Sequence, residues 1–324
     1  MENQRFLVTG AAGCIGAWTL ARLAGEGVET FALDLSKDNR RLSLVDSSEE
    51  KRNIRHIVGD IRHLETVEST IKQHQITHVV HLAALQVPFC QADPVAGSEV
   101  NVTGTVNVLE AVRRSEGGVR GLAYASSIAV FGGPDRYEGG RVTDDSLLAP
   151  ATLYGGYKQC NEATARVYAA DWGVGSVGLR PAVVYGVGRD QGLTSDPTKA
   201  MLAAAAGKSA HIAFGGIATF HHADDVAAAF IAAARLETAS ARIHNVGGVD
   251  APISEIAERI ESKAPAVSIT YDPDPLPIPA TVDGSPLDSL LSGTVSHRPL
   301  DDGIAGTIES FARLISAGLI KTSD

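Results

Sequence analysis

Thr9-Gly-Ala-Ala-Gly-Cys-Ile-Gly16, TGAAGCIG in one-letter form, follows an apolar run at Arg5–Thr9 and opens a helical pattern at Gly13–Ala24. Gly10, Gly13 and Gly16 stand three residues apart. Glycine at these places permits a tight turn, close approach of the backbone to a pyrophosphate, and close packing of helix on strand. The helix start then offers free N–H groups and a positive dipole end to phosphates. A glycine triplet alone is weak evidence, but this one sits at the strand-to-helix turn where the mechanism needs it.

Working outward, a second strand pattern, Glu29–Leu33, leads into Asp34. A carboxylate about 20 residues past the glycines accepts hydrogen bonds from both adenosine ribose hydroxyls and repels a 2′-phosphate, which predicts NAD rather than NADP. Arg40 and Arg41 follow, either as cations near that ribose or as two surface arginines. Asp60, in GDIRH, fits an adenine-side contact or a cap on the next helix.

Further strand patterns at Ile54–Val58, His78–His81, Gly121–Tyr124 and Ser176–Leu179 alternate with helical ones at Leu64–Gln73, Ala96–Arg114 and Leu153–Asp171. The alternation predicts an α/β fold, a Rossmann-type doubly wound parallel sheet with helices on both faces. After Arg180 the regularity weakens. Helices are expected at Pro197–Ala206 and Asp224–Leu236, a strand at Arg242–Val246, a proline-rich excursion over Asp272–Pro286 and a closing amphipathic helix at Gly303–Ala317. Residues 1–181 plus about 216–247 are expected to form the NAD-binding domain, and about 182–215 with 248–324 a smaller C-terminal substrate lobe.

Composition removes several alternatives. The 33 glycines show no period of three, which excludes a collagen-like chain. A net charge of −10 argues against a nucleic-acid partner, because binding to phosphate backbones is driven by Lys and Arg. The Ala-rich runs Met201–Ala206 and Ala227–Ala234 are far shorter than the roughly 20 residues of a membrane span. No basic stretch followed by an apolar run marks a secretory signal at MENQRF. Cys14, Cys90 and Cys160 are scattered and odd in number, as expected in a reducing cytoplasm. None forms a CxxC pair, and the adjacent His221 and His222 have no third ligand at a recognisable spacing, so no metal site is expected.

Further signatures follow TGAAGCIG in order: GD at 59–60, HLAA at 81–84, NVTGTVNVLEA at 101–111, ASSIAVFG at 125–132, YGGYK at 154–158, LRPAVVYG at 179–186 and HADDVA at 222–227. With them the chain resembles the extended short-chain dehydrogenases/reductases of the NAD-dependent epimerase/dehydratase type, over at least residues 5–245. The resemblance implies a catalytic Ser127, Tyr154 and Lys158. It implies NAD contacts at Gly10, Gly13, Cys14, Ile15, Gly16, Asp34, Asp60, Ile61, Leu82, Ala83, Ala84, Asn101, Tyr154, Lys158 and Pro181. It also implies a homodimer formed through the helices at 96–114 and 153–171.

The residue types agree with that chemistry. Tyr154 and Lys158 are i and i+4, hence on one helix face. An ammonium beside a phenol favours phenolate and lowers the tyrosine pKa from about 10 toward working pH. Such a tyrosine takes a proton from a substrate hydroxyl, and Ser127 orients the same oxygen. Tyr157 lacks the i, i+4 spacing, and Ser126 is the neighbour that competes with Ser127 for the catalytic place.

Departures from the family pattern bear on the substrate. The family's dehydratases carry an Asp-Glu pair after the catalytic hydroxyl; Ile128 and Ala129 stand there here, so dehydration is not expected. Nucleotide-sugar members grip the diphosphate with an Asn three residues after the arginine of the RP segment, an Arg six residues before the DD pair, and an RRxGD-like stretch. This chain has Val183, Ala218 and DPDPLPIPATVDG in those places. Each missing charge-assisted partner removes roughly 1.5–3 kcal/mol from diphosphate binding.

The expected activity is therefore an NAD-dependent dehydrogenase oxidising a secondary hydroxyl of a small non-nucleotide sugar, polyol or hydroxy acid. The alternative is a UDP-hexose 4-epimerase with tightly bound NAD. A third reading, a nucleotide-sensing regulator, is disfavoured by the retained Tyr/Lys pair. Expected substrate contacts are Gln86, Ser127, Tyr154, Arg189 and Lys199, with His221 and His222 beside the DD pair; Arg189 or Lys199 would face a carboxylate.

Overall fold

A computed structural model describes residues 4–45 and 53–321. The chain runs β1 (Arg5–Thr9), α1 (Cys14–Gly25), β2 (Glu29–Asp34), α2 (Arg40–Val45), β3 (Ile54–Val58), α3 (Leu64–His74), β4 (His78–His81), α4 (Val87–Ala92), α5 (Pro94–Ser98), α6 (Gly104–Arg114) and β5 (Gly121–Ala125). It continues with β6 (Arg141–Val142), α7 (Leu153–Trp172), β7 (Ser176–Arg180), β8 (Val183–Tyr185), α8 (Asp196–Ala205), β9 (Ala210–Ile212), β10 (Ile217–His222), α9 (Ala223–Ala234) and β11 (Ala241–Asn245). Then come β12 (Val249–Pro252), α10 (Ile253–Lys263), β13 (Ile269–Tyr271), β14 (Thr281–Val282), α11 (Ser285–Leu290) and α12 (Leu300–Ser316).

Seven strands make one parallel sheet in the order β11-β7-β5-β4-β1-β2-β3. Its central strands are buried along almost their whole length, as parallel strands covered on both faces must be. Residues of α1 and α9 fill the core on one face, and those of α3, α6 and α7 the core on the other. This is the expected doubly wound Rossmann arrangement. Strand order reverses between β1 and β4, so the crevice at their carboxyl ends is the switch point where such sheets bind ligands.

One expected helix is broken. Instead of a single helix over Ala96–Arg114, α5 gives way to a π turn at Glu99–Thr103 before α6 begins. Asn101 holds that turn: its buried amide donates to the carbonyls of Leu85 (3.1 Å) and Gly97 (2.9 Å). π segments of this kind mostly appear as single turns interrupting α-helices, frequently at functional sites.

The C-terminal part builds small sheets. One has the order β12-β10-β8, and β9 pairs with β13, β6 with β14. With α8, α10 and α12 they enclose a separate apolar core around Met201, Ile256 and Ile304. The return to the large sheet, expected from about residue 216, begins later at α9, because Ile217–His222 pairs with β8 and β12 instead. The proline-rich excursion lies back on this lobe through a bridge between Gly215 and Pro275 and the β6–β14 pair. Among the described residues, no helix is long and apolar enough to cross a membrane.

Candidate active site

A cavity of about 540 Å³ opens at the switch point. At one end lies the glycine turn. Gly10 has φ +68°, and a Cβ there would stand 2.6 Å from the amide nitrogen of Ala83, so only glycine lets the turn after β1 abut the turn after β4. A Cβ on Gly16 would meet the Gly10 carbonyl oxygen at 2.3 Å. Gly13 precedes α1 with no side chain to cap it, which leaves the first-turn N–H groups open toward an anion. The cradle therefore fits a dinucleotide pyrophosphate.

Gly10, Gly13, Cys14, Ile15, Gly16, Asp34, Asp60, Ile61, Leu82, Ala83, Ala84 and Pro181 all line the cavity. Asp34 ends β2, and its carboxylate accepts from the amides of Ala12 (2.9 Å) and Leu35 (2.8 Å). Arg40 and Arg41 turn from it to Asp190. Asp60 does not cap α3; it takes the Arg62 guanidinium at 2.8 Å, which holds its carboxyl below the usual range. Cys14 is a neutral thiol, pushed up to about 12 by burial. Asn101 departs from expectation: it is not among the lining residues and braces the cavity wall from behind through Leu85.

At the other end β5 delivers two serines with separate tasks. The Ser126 hydroxyl donates to the fully buried Glu162 carboxylate (2.6 Å), which also grips the Arg180 guanidinium (2.7 and 2.8 Å). Ser127 caps the next turn, accepting from the Ala129 amide (3.1 Å), and hydrogen-bonds the Tyr154 phenol. Tyr154 stands in the first turn of α7, which Thr152 caps by accepting from the Gly155 amide (3.0 Å). A Cβ at Gly155 would lie 2.0 Å from the Ala129 carbonyl oxygen, so helix and serine turn touch backbone to backbone. Ser127, Tyr154 and Lys158 thus meet on one cavity wall.

Their electrostatics are governed first by burial. Burial raises the Tyr154 phenol; the hydrogen bond from Ser127 and the charge of Arg189 pull it back. The Lys158 ammonium has its hydrogen-bond partner elsewhere. It donates to the Ala125 carbonyl (2.6 Å) and lies 5.6 Å from the centre of the tyrosine ring, over its face. Burial lowers Lys158 itself to about 8, against the opposing pull of Cys90 and Glu162.

Beyond Tyr154 the cavity is lined by Gln86, Ile128, Val184, Arg189, Leu193, Thr194 and Ile278. Arg189 Nη2 donates to Thr194 (3.0 Å), while its Nε and the Gln86 Oε1 are buried without a protein partner. Lys199 is a correction: it sits on α8, half-exposed and paired with Asp196 at 3.2 Å, away from the cavity. His221 is also elsewhere, accepting from the Ala182 amide (2.9 Å) at Nε2 and donating from Nδ1 to the Gly247 carbonyl (2.8 Å). His222 caps α9 by accepting from the Asp224 amide. His222, Asp224 and Asp225 come within 4.8 Å of one another, but Arg298 and Arg22 already pair with the two carboxylates. Val183 and Ala218 are buried in the lobe's apolar core.

A sequence model of the NAD dependent epimerase/dehydratase family matches residues 6–247. The chain belongs to that family. Its cofactor is NAD. A UDP-glucose 4-epimerase of Mycolicibacterium smegmatis is 30% identical over 278 residues, 83% of this chain and 85% of that one. UDP-glucuronate 4-epimerase 2 of Arabidopsis thaliana is 33% identical over 184 residues, 56% of this chain; the match spans only 42% of the plant protein. Among solved structures, MoeE5 in complex with UDP-glucose and NAD is 26% identical, with a TM-score of 0.79 over 96% of this chain and 99% of that one.

Several site residues of this family member left no mark in the sequence. Leu193, Thr194 and Ile278 reach the cavity from irregular segments with no periodicity to announce them. Glu162 was hidden because its partner Arg180, in the RP segment 18 residues on, lies across a helix and a strand from it.

Proposed function

We propose that the chain is an NAD-dependent dehydrogenase that oxidises a secondary hydroxyl of a small, non-nucleotide substrate, a hydroxy acid or sugar acid before a neutral polyol. One observation carries this. Among the described residues that line the catalytic end, the cations are Lys158, committed to the Ala125 carbonyl, and Arg189, whose Nε has no partner. One guanidinium suits one carboxylate. A diphosphate calls for more, and two positions that would supply it, Val183 and Ala218, lie in the lobe core.

In this reading NAD, when bound, supplies the acceptor for the carbinol hydrogen and its electron pair. Gly10, Gly13 and Gly16 cradle its pyrophosphate, Asp34 takes the adenosine ribose hydroxyls, and Ile61, Leu82, Ala83, Ala84 and Pro181 pack along it. Tyr154 accepts the hydroxyl proton, Ser127 orients the same oxygen, and Lys158 fixes the backbone at Ala125 behind them. The lobe of β8, α8 and the proline-rich excursion closes the substrate end. Exposed Leu153, Cys160 and Val167 on α7, beside exposed Phe89 and Val95, offer an apolar face for a homodimer in a reducing cytoplasm, which light scattering would measure.

A panel of sugar acids, hydroxy acids and polyols assayed for NADH formation tests the proposal; acids are expected to turn over, and Arg189→Met to raise their KM. A second reading, UDP-hexose 4-epimerisation, is favoured by the likeness to MoeE5, whose structure holds UDP-glucose and NAD. Interconversion of UDP-glucose and UDP-galactose by the purified protein, with no added cofactor, would establish it and overturn the first.

A further inference from the structure

Two consecutive arginines stand just beyond the carboxylate expected to meet the adenosine ribose, yet neither serves it. Arg40 Nη2 lies 2.9 Å from Asp190 Oδ2, and Arg41 reaches Asp190 Oδ1 through Nη2 (2.7 Å) and Nε (3.1 Å). The third donor of Arg41, Nη1, goes to the Ala12 carbonyl (2.9 Å). The amide of the same Ala12 donates to Asp34 (2.9 Å). Asp34 and Arg41 therefore hold opposite polar groups of one residue in the glycine turn. Arg41 stands one residue's span from the ribose-facing carboxylate.

Asp190 comes from far away in sequence, on the loop that follows β8. That loop is fixed independently. The Trp18 indole donates to the Val187 carbonyl (2.9 Å), and Gly188 takes a φ of +89°, a backbone conformation that favours glycine. The next residue, Arg189, turns into the cavity. Asp190 is thus presented to the arginines by a braced backbone.

We propose that Asp190 is a determinant of cofactor specificity. It sequesters Arg40 and Arg41, which would otherwise accept the 2′-phosphate of NADP beside Asp34. An arginine near the ribose is the ordinary device for binding a 2′-phosphate, and a carboxylate in its place the ordinary device for rejecting it. Here the arginines are retained, and a third residue from the opposite lobe cancels them. Discrimination then has two layers: direct repulsion by Asp34, and neutralisation of the cations by Asp190.

The test is binding of NADH and NADPH to the full-length protein, followed by fluorescence titration, for wild type, Asp190→Asn, and Asp190→Asn combined with Arg40→Gln and Arg41→Gln. Circular dichroism and thermal melting establish that each variant is folded. In Asp190→Asn the NADPH dissociation constant is expected to fall by about fivefold and that of NADH to change by less than about twofold. The gain should shrink as salt is raised, since exposed charges are screened, and should vanish in the triple variant. An unchanged NADPH-to-NADH ratio in Asp190→Asn would overturn the proposal. So would a gain that survives loss of both arginines, or an equal weakening of both cofactors, which would make Asp190 a brace of the loop and nothing more.

Discussion

Glu162→Gln concentrates the energetics of the catalytic wall in one atom. Glu162 and Arg180 are fully buried, and the carboxylate accepts three hydrogen bonds: Arg180 Nε at 2.7 Å, Arg180 Nη2 at 2.8 Å and the Ser126 hydroxyl at 2.6 Å. An amide keeps the shape but sets an NH₂ against a guanidinium or hydroxyl donor, and it leaves the Arg180 charge unpaired in the interior. Removing one partner of a buried pair costs about 3–5 kcal/mol. That is a large part of the 5–15 kcal/mol typical of a folded protein. Equilibrium urea unfolding should report the loss, and the melting temperature should fall by roughly 4–7 °C.

Replacing both partners, as Glu162→Leu with Arg180→Met, should restore much of the stability, because neither partner then leaves an unpaired charge of that pair in the interior. Catalysis should not be restored. Ser126 precedes Ser127, and Glu162 lies one helical turn beyond Lys158 and raises its pKa, so both groups proposed for catalysis lose a support. The reasoning fails if Glu162→Gln unfolds within about 1 kcal/mol of wild type, or if the apolar pair is no more stable than the single variant.

Other perturbations follow from the same geometry. Gly155→Ala must move the serine turn away from α7, at a cost of about 1–3 kcal/mol; kcat should drop while NADH affinity, titrated by fluorescence, holds. Lys199→Ala, on the solvent side of α8, should leave the kinetics of substrate oxidation unchanged. His81, His221 and His222 are lowered by burial to about 3, 4 and 4. Below the unfolded value of 6.5 the unfolded chain then binds more protons, so stability should fall as pH drops from 6.5 toward 4. A melting temperature that stays flat across that window would contradict their burial as neutral imidazoles.

What the sequence revealed was what is local. The glycine turn, Asp34 at the end of its strand and the Tyr154–Lys158 spacing are short-range patterns, and all seven strands of the large sheet fall within about a residue of the expected runs. The failures share a cause, a partner far along the chain. Asn101 breaks a helix because it reaches Leu85. Strands of two to six residues such as β6, β8 and β10 exist only through pairing across the lobe. Arg189 and Lys199 are equally available in the sequence as partners for a carboxylate. Lys199 found a neighbour one turn away at Asp196, whereas the loop of Arg189 is held by arginines some 150 residues distant. The Tyr154–Lys158 spacing is local, whereas the Ala125 carbonyl that accepts from the ammonium lies 33 residues away and is invisible in a motif.

That last point yields a prediction about proton removal. Burial makes the Tyr154 phenol a weaker acid, and the two groups that oppose burial are the Ser127 hydroxyl and the Arg189 guanidinium. If Tyr154 as phenolate accepts the substrate proton, oxidation requires the deprotonated phenol, and the acidic limb of the pH profile reports its pKa. Arg189→Met removes a positive charge and favours the neutral phenol, so the acidic limb should move to higher pH. Lys158→Met should act differently, since its ammonium lies over the ring and anchors Ala125: kcat should fall with little movement of that limb. The profiles are to be measured at saturating NAD with an uncharged alcohol, so that loss of a carboxylate contact does not mask the effect. An acidic limb unmoved in Arg189→Met but shifted in Lys158→Met would mean that the lysine, not the arginine, sets the acidity of Tyr154, against the geometry found here.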